Sequence, residues 1–213
     1  MPLRGFFVAV FTPAARRLGG VNPNTLSVIS LLAGLAAGAA FVLARLSPGW
    51  HAAAAALVAL SGAADSLDGL VARMHGRVSA WGGFLDHFGD RLVEAAVLGG
   101  IAFSPGADRV LGLLVVVATL LHSLAAVTME ARFGSWDYGR IGKAEQFVFL
   151  ILYALVRTAF PGLSITLLAH SVSFPNAFLA ILGIVTVAAI LHRLVLAHRA
   201  AEGAESRATR PDA

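Results

Sequence analysis

The chain alternates long apolar runs with short polar breaks, and the runs have membrane-spanning length. A helix that crosses the hydrocarbon core needs about 20 mostly apolar residues. Such stretches cover residues 22–44, 50–74, 80–103, 107–131, 140–160 and 174–198. Asn22 is a favoured N-cap, and Pro23 suits the first helical position. Ser104-Pro105-Gly106 ends the third stretch and Pro161-Gly162 follows the fifth. Gly34 and Gly38 form a small-xxx-small pair, which suits close helix packing. Residues 1–20 set the apolar run Phe6 to Phe11 against Arg4, Arg16 and Arg17, the pattern of an amphipathic helix lying in the interface. Residues 164–173 are too short to span and read as interfacial. Residues 200–213 read as a polar, disordered cytoplasmic tail. The expected fold is all-α: a polytopic membrane protein with one domain over residues 1–199. That domain holds an interfacial helix over 1–20 and a bundle of six transmembrane helices over 22–199.

Composition agrees with this pattern. Of 213 residues, 58% are hydrophobic and 13% are charged, against roughly 25% charged in a soluble domain. Mean hydropathy is +0.79. The net charge of +4 does not point to nucleic acid, because the basic residues flank the apolar runs. Six spans place Arg4, Arg16, Arg17, Arg73, Arg77, Arg132, Arg140, Lys143, Arg193, Arg199, Arg207 and Arg210 on one side, and Arg45, Arg109 and Arg157 on the other. The positive-inside rule then puts both termini in the cytoplasm. Trp50, Trp81 and Trp136 lie near span ends, where interfacial anchoring is the default. The chain has no cysteine, which excludes disulfides, thiolate metal sites and cysteine nucleophiles.

Four carboxylates interrupt the second and third runs: Asp65, Asp68, Asp86 and Asp90. An aspartate at mid-membrane costs about 2.5–3.5 kcal/mol on insertion scales. Four near one interface therefore need a counter-charge. Asp65 and Asp68 are about 60° apart on one helix, and Asp86 and Asp90 about 40° apart on the next. The short connection between those helices makes them antiparallel neighbours, so all four can converge. Hard oxygen ligands without His or Cys favour Mg²⁺ or Mn²⁺. Carboxylates around a cation, with Arg73 near by, suit phosphate and pyrophosphate chemistry. Gly69 and Ala72 share the face of Asp65, and Gly82 that of Asp86, leaving room for a ligand against the backbone. Two blander readings stand beside this one. The aspartates can serve an ion path in a transporter or channel, or pair with Arg73, Arg77 and Arg91 as structural salt bridges.

The spacing is itself diagnostic. Asp65-x2-Asp68-Gly69-x2-Ala72-Arg73-x8-Gly82-x3-Asp86-x3-Asp90 carries every fixed position of a known signature, D-x2-D-G-x2-A-R-x8-G-x3-D-x3-D. The chain thus resembles the CDP-alcohol phosphotransferase family. Asn22-Pro23-Asn24-Thr25-Leu26-Ser27 resembles that family's P-N-x-[LI]-T opening of the first span, with Ser27 in place of Thr.

The resemblance implies transfer of a substituted phosphate from a CDP-linked lipid donor to an alcohol, with release of CMP. It implies that Asp65, Asp68 and Asp86 ligate one or two divalent ions. Asp90 would be the general base and could also touch a second metal. It further implies that Ser27, Asp68, Gly69, Ala72, Arg73 and Gly82 bind CDP, and that the protein is a homodimer. An intramembrane prenyltransferase also uses Asp-x-x-Asp motifs and Mg²⁺, but an isoprenyl pyrophosphate needs no cytidine pocket.

The acceptor is less sharply written. Arg132, Arg140, Lys143 and Arg193 sit at cytoplasmic span ends and can bind an acceptor phosphate. Arg140 and Lys143 are placed at a helix N-terminus, which also attracts anions. Family members that make phosphatidylinositol phosphate often carry Lys/Arg-Ala-Arg-Ala-Glu after the fourth span. This chain reads Glu130-Ala131-Arg132-Phe133-Gly134 there. Inositol phosphate, glycerol phosphate, a compatible-solute product and an uncharged acceptor such as serine all stay open. His87, His122 and His192 are read as packing or polar lining residues.

Overall fold

The computed structural model describes residues 2–134, 143–167 and 170–208, with side chains for 5, 7–134, 146–166 and 170–202. Among them are seven helices and one small hairpin. The helices are α1 (Pro2–Arg17), α2 (Pro23–Leu43), α3 (Trp50–Met74), α4 (Ala80–Ala102), α5 (Arg109–Phe133), α6 (Lys143–Ala159) and α7 (Phe174–Ala208). Strands β1 (Ser164–Leu167) and β2 (His170–Ser173) form an antiparallel pair in which Ser164 faces Ser173 and Leu167 faces His170.

Local chemistry sets the helix starts. Asn22 caps α2 by accepting from Asn24 N–H at 3.0 Å, with Pro23 in the first turn. Ser79 caps α4 through Gly82 N–H at 3.0 Å, and Asp108 caps α5 through Leu111 N–H at 2.8 Å.

The protein is a multi-pass membrane protein, but among the described residues four helices rather than six are long and apolar enough to cross a bilayer by themselves: α2, α3, α5 and α7, the last over Phe174–Glu202. The physical reason lies in the other two. Helix α4 has 23 residues but carries Asp86, Asp90, Arg91 and Glu94. Helix α6 is described over only 17 residues. Two further expectations differ. Residues 164–167 and 170–173 pair as strands, because Ile165, Thr166 and Val172 favour extended backbone in stretches too short to repay a helix nucleus. Helix α7 runs on through Ala208, where a disordered tail was expected from Ala200. Its continuation is rich in alanine, a strong helix former, and His198 Nε2 lies 3.4 Å from Glu202 Oε1 one turn on.

The helices pack in the spatial order α6–α3–α2–α4–α5–α7. The short link between α3 and α4 does not make them direct neighbours, as the sequence suggests. Helix α2 packs extensively on both, whereas α3 and α4 make almost no backbone contact among the described residues. Small residues explain the position of α2. A Cβ on Gly38 would collide with the Ala96 carbonyl, and one on Gly100 would collide with the Gly38 carbonyl. On the other side, Ser30 and Ser61 exchange bonds: each hydroxyl donates to the other's carbonyl at 2.9 Å. Main-chain approach, not side-chain bulk, therefore joins α2 to both partners.

One core runs through the bundle. Phe41, Val58, Leu98, Ile101, Tyr153 and Leu179 are all buried in it. A second cluster joins α1 to the bundle, with Ala15 against Leu26, Leu70 and Val71. Helix α1 thus docks on α3 through part of its apolar face. At the end away from the aspartates, Arg157 is only 3% exposed. It donates to Pro105 O at 2.9 Å and to Pro161 O, tying the α4–α5 turn to the end of α6. This residue, read from sequence as a topology charge, is an internal clamp. The outer faces of α5 and α7 expose Leu114, Leu124, Ile181, Ile184 and Leu191, as a lipid-facing surface must.

Candidate active site

A cleft opens between α2, α3 and α4. It is lined by Ser27, Ser30, Leu31, Asp65, Asp68, Leu85, Asp86, Gly89 and Asp90. All four predicted aspartates therefore meet there. Helix α3 supplies Asp65 and Asp68 from one face, as i and i+3 spacing requires. Helix α4 supplies Asp86 and Asp90 from i and i+4. Helix α2 forms the third wall and packs on both of the others.

The carboxylates are close enough to share a cation. One oxygen each from Asp65, Asp68 and Asp86 lie within 4.8 Å of one another. Asp86, His87 and Asp90 form a second such group. Asp86 belongs to both, so it is the pivot of the cluster. His87 was expected to be a lining residue; its ring is exposed, with Nδ1 3.9 Å from Asp86 Oδ2. The first group consists of hard oxygen donors alone, which fits Mg²⁺ or Mn²⁺ better than zinc. Asp68 is 6% exposed. Its Oδ2 accepts from Ser27 Oγ at 2.6 Å. Burial of a carboxylate is tolerated where a donor and a cation meet it.

The remaining signature residues frame the cleft and do not line it. Gly69, Ala72 and Arg73 continue α3 beyond Asp68, towards the end where the 75–79 link joins α4. A Cβ on Gly69 would stand 3.2 Å from Arg73 Nη1, so the guanidinium lies over that glycine. Gly82 lies one turn before Asp86, and a Cβ there would be 3.2 Å from Asn24 Oδ1. That places the start of α4 against the start of α2. The link itself is pinned: Arg77 Nη1 donates to Val21 O at 3.1 Å, and His75 Nε2 lies 3.3 Å from Ala15 O.

Beside the cleft runs a polar network that the spacing of the aspartates does not reveal. Arg91 Nη2 lies 3.7 Å from Asp90 Oδ2, and Arg91 Nη1 donates to Glu94 Oε2 at 2.8 Å. Glu94 Oε1 in turn accepts from Gln146 Nε2 of α6 at 2.8 Å. Arg91 also donates to Ser123 Oγ of α5. Of the residues expected to meet an acceptor phosphate, Arg193 is half-buried and donates from Nε to His122 Nε2 at 2.9 Å. His122, expected only as a packing or lining residue, is thus the acceptor of a defined bond. Arg132 is exposed on the last turn of α5. Arg140 and the side chain of Lys143 lie outside the described residues, as does Trp136. Ser30, Leu85 and Gly89 were not foreseen in the cleft. The only sequence signal for Gly89 is its place immediately before Asp90.

A bundle of membrane helices enclosing a carboxylate-lined cleft, with the phosphate-type signature on the two helices that bear it, defines a membrane-embedded phosphotransferase. The chain belongs to the CDP-alcohol phosphatidyltransferase family, whose model matches residues 21–197. It is a transferase of that kind, releasing CMP from a CDP-activated substrate. Among its relatives is the phosphatidylinositol phosphate synthase of Streptomyces avermitilis, 33% identical over 169 residues. The match covers 75% of this chain and 66% of that one, so it spans just under two thirds of the relative's length. The archaetidylinositol phosphate synthase of Pyrococcus horikoshii is 28% identical over 156 residues, covering 73% of this chain and 80% of its own. The fold is similar to that of the Mycobacterium tuberculosis phosphatidylinositol phosphate synthase with CDP-DAG bound. The TM-score is 0.67 at 26% identity, covering 89% of this chain and 94% of that one. The same mycobacterial enzyme has been solved with manganese and citrate, again at a TM-score of 0.67 and 26% identity, covering 87% and 88%.

Proposed function

We propose that this chain transfers a phosphatidyl group from a CDP-diacylglycerol-type donor to a hydroxyl of an inositol phosphate, with release of CMP. The observation that carries the reaction is the convergence of Asp65, Asp68 and Asp86 within 4.8 Å, with Asp90 lining the same cleft. The acceptor assignment is supported by the relatives, whose names pair a lipid with inositol phosphate. It is also supported by Arg193, held by His122 of α5 next to the Ser123 that accepts from Arg91. The departure at Glu130-Ala131-Arg132-Phe133-Gly134 does not remove Arg132.

Asp65, Asp68 and Asp86 would hold a divalent ion, and Asp86 with Asp90 would hold a second. Such an ion offsets charge on pyrophosphate oxygens and on departing CMP. The residues of the chain do the rest. Asp90 accepts the acceptor hydroxyl's proton while that oxygen bonds to the lipid-side phosphorus. The bond from that phosphorus to the CMP oxygen breaks, and CMP leaves with the electron pair. Arg91, 3.7 Å from Asp90 Oδ2, helps hold that carboxylate in place at the cleft. Gly69, Ala72, Arg73 and Gly82 border the CDP side, and Arg73 is placed to meet a phosphate oxygen.

The same reading extends to the assembly. Helices α4 and α6 complete the six spans, with Asp86 and Asp90 of α4 at the cleft and Arg157 of α6 inside the bundle. Both termini and the cleft face the cytoplasm, and α1 rests in the interface. Two copies associate as a homodimer. The stacked, exposed ladder Trp81–Phe84–Phe88 on α4, with ring centroids 5.6 Å apart at each step, is the surface we assign to lipid or a second copy.

The test is direct. Purified protein is incubated with CDP-diacylglycerol and Mn²⁺ or Mg²⁺ against inositol phosphate, glycerol phosphate, inositol and serine, following CMP. Release that requires inositol phosphate is the expected result. Release with serine alone would replace the acceptor, and ion flux in proteoliposomes without CMP would replace the enzyme by a transporter. Chelation with EDTA should abolish turnover, and Mg²⁺ or Mn²⁺ should restore it.

A further inference from the structure

Arginines from two different helices are held by adjacent residues of α5. Arg193 of α7 donates from Nε to His122 Nε2 at 2.9 Å. Arg91 of α4 donates to Ser123 Oγ. Because Arg91 also reaches Asp90, the proposed base and Arg193 are linked through Arg91 and the adjacent residues Ser123 and His122 of α5. Neither His122 nor Ser123 belongs to the eight-position signature, and no role follows for either from it.

The bond fixes more than a distance. Arginine stays protonated throughout, so His122 must accept, which leaves Nε2 without a proton and places the ring proton on Nδ1. Accepting through Nε2 from the guanidinium Nε also fixes the plane of the fork. An arginine recognises phosphate by that plane, and a fork oriented before the ligand arrives loses less freedom on binding.

We propose that His122 is a positioning residue for the acceptor: by accepting Nε–H of Arg193, it aims that guanidinium at the acceptor's phosphate. The inference rests on the acceptor reading above. The alternative is a simple tie between α5 and α7, and the two differ in what they move. A tie changes stability and the active fraction. A positioning bond changes the KM for one substrate.

The experiment measures CMP release by full-length protein in detergent or liposomes. Inositol phosphate is titrated at saturating CDP-diacylglycerol, and the reverse. His122→Leu should raise the KM for inositol phosphate about tenfold, with the KM for the donor within about twofold. His122→Gln, whose Oε1 can accept the same N–H, should recover most of the loss. Adding His122→Leu to Arg193→Ala should have little further effect, because the histidine acts through that arginine. If His122→Leu does not fold, His122→Asn, whose amide falls short of Arg193, replaces it in the comparison. An unchanged acceptor KM, equal rises in both KM values, or additive effects in the double variant would overturn the proposal. If the panel returns a different phosphorylated alcohol, the inositol assignment falls, and the same titrations with that alcohol decide His122. If the acceptor carries no phosphate, the proposal falls with it.

Discussion

Ser27 Oγ on α2 donates a 2.6 Å hydrogen bond to Asp68 Oδ2 on α3. This bond makes α2 a chemical part of the site as well as its wall. Asp68 is the most buried of the four aspartates, and a donated proton fixes which of its oxygens faces the cleft. A carboxylate held in this way is a better defined ligand than one on a free rotor. The single hydroxyl proton of Ser27 is thereby committed to Asp68, so the contact with CDP that the resemblance implies for this residue must use its oxygen lone pairs.

Removing that donor should weaken metal binding more than it weakens the fold. Ser27→Ala should raise the Mn²⁺ concentration for half-maximal CMP release by about tenfold. Ser27→Thr, which keeps the hydroxyl, should stay near the parent. Equal Mn²⁺ curves for all three proteins would remove the orienting role.

Asp90 and Asp86 should fail differently. Asp90→Asn should lower turnover by about 100-fold or more while leaving CDP-donor binding within a few-fold, since an amide cannot take the acceptor's proton. Asp86→Asn should reduce both metal binding and turnover, because Asp86 belongs to both ligand groups. Retained turnover in Asp90→Asn would end its assignment as base.

The α2–α4 contact should tolerate almost no added volume. Gly38→Val should destabilise the protein by about 1–3 kcal/mol, the usual range for overpacking, and should spread the cleft. Gly99→Ala is the control, since a Cβ there meets nothing within 4 Å. Thermal unfolding in detergent, read beside CMP release, separates the two. A Gly38→Val protein with parent stability and activity would show that the close approach is not needed.

Orientation has its own check. Reporter fusions at the N- and C-termini should both report the cytoplasm, as the bias of Arg and Lys requires. An exported C-terminus would remove the even number of spans.

The aspartates show how far one dimension reaches. Their spacing placed Asp65 with Asp68, and Asp86 with Asp90, each pair on one helix face, because helical periodicity is a property of neighbours in the chain. The bounds of α3 and the cap at Asn22 were legible for the same reason: length, apolarity and capping chemistry are local. The signature named the family before any contact was known. The meeting of the two pairs was a different matter. The short 75–79 link suggested direct packing of α3 on α4, yet the backbones of Gly38 and Gly100 let α2 come between them. That arrangement depends on residues distant in the chain meeting without side chains, which no periodicity encodes. The bonds from Ser27 to Asp68 and from Arg193 to His122 have the same origin. Sequence determined which groups are present and which face of its helix each occupies. Only tertiary packing decided which faces share a cleft, because close approach of two helices is a property of both surfaces at once.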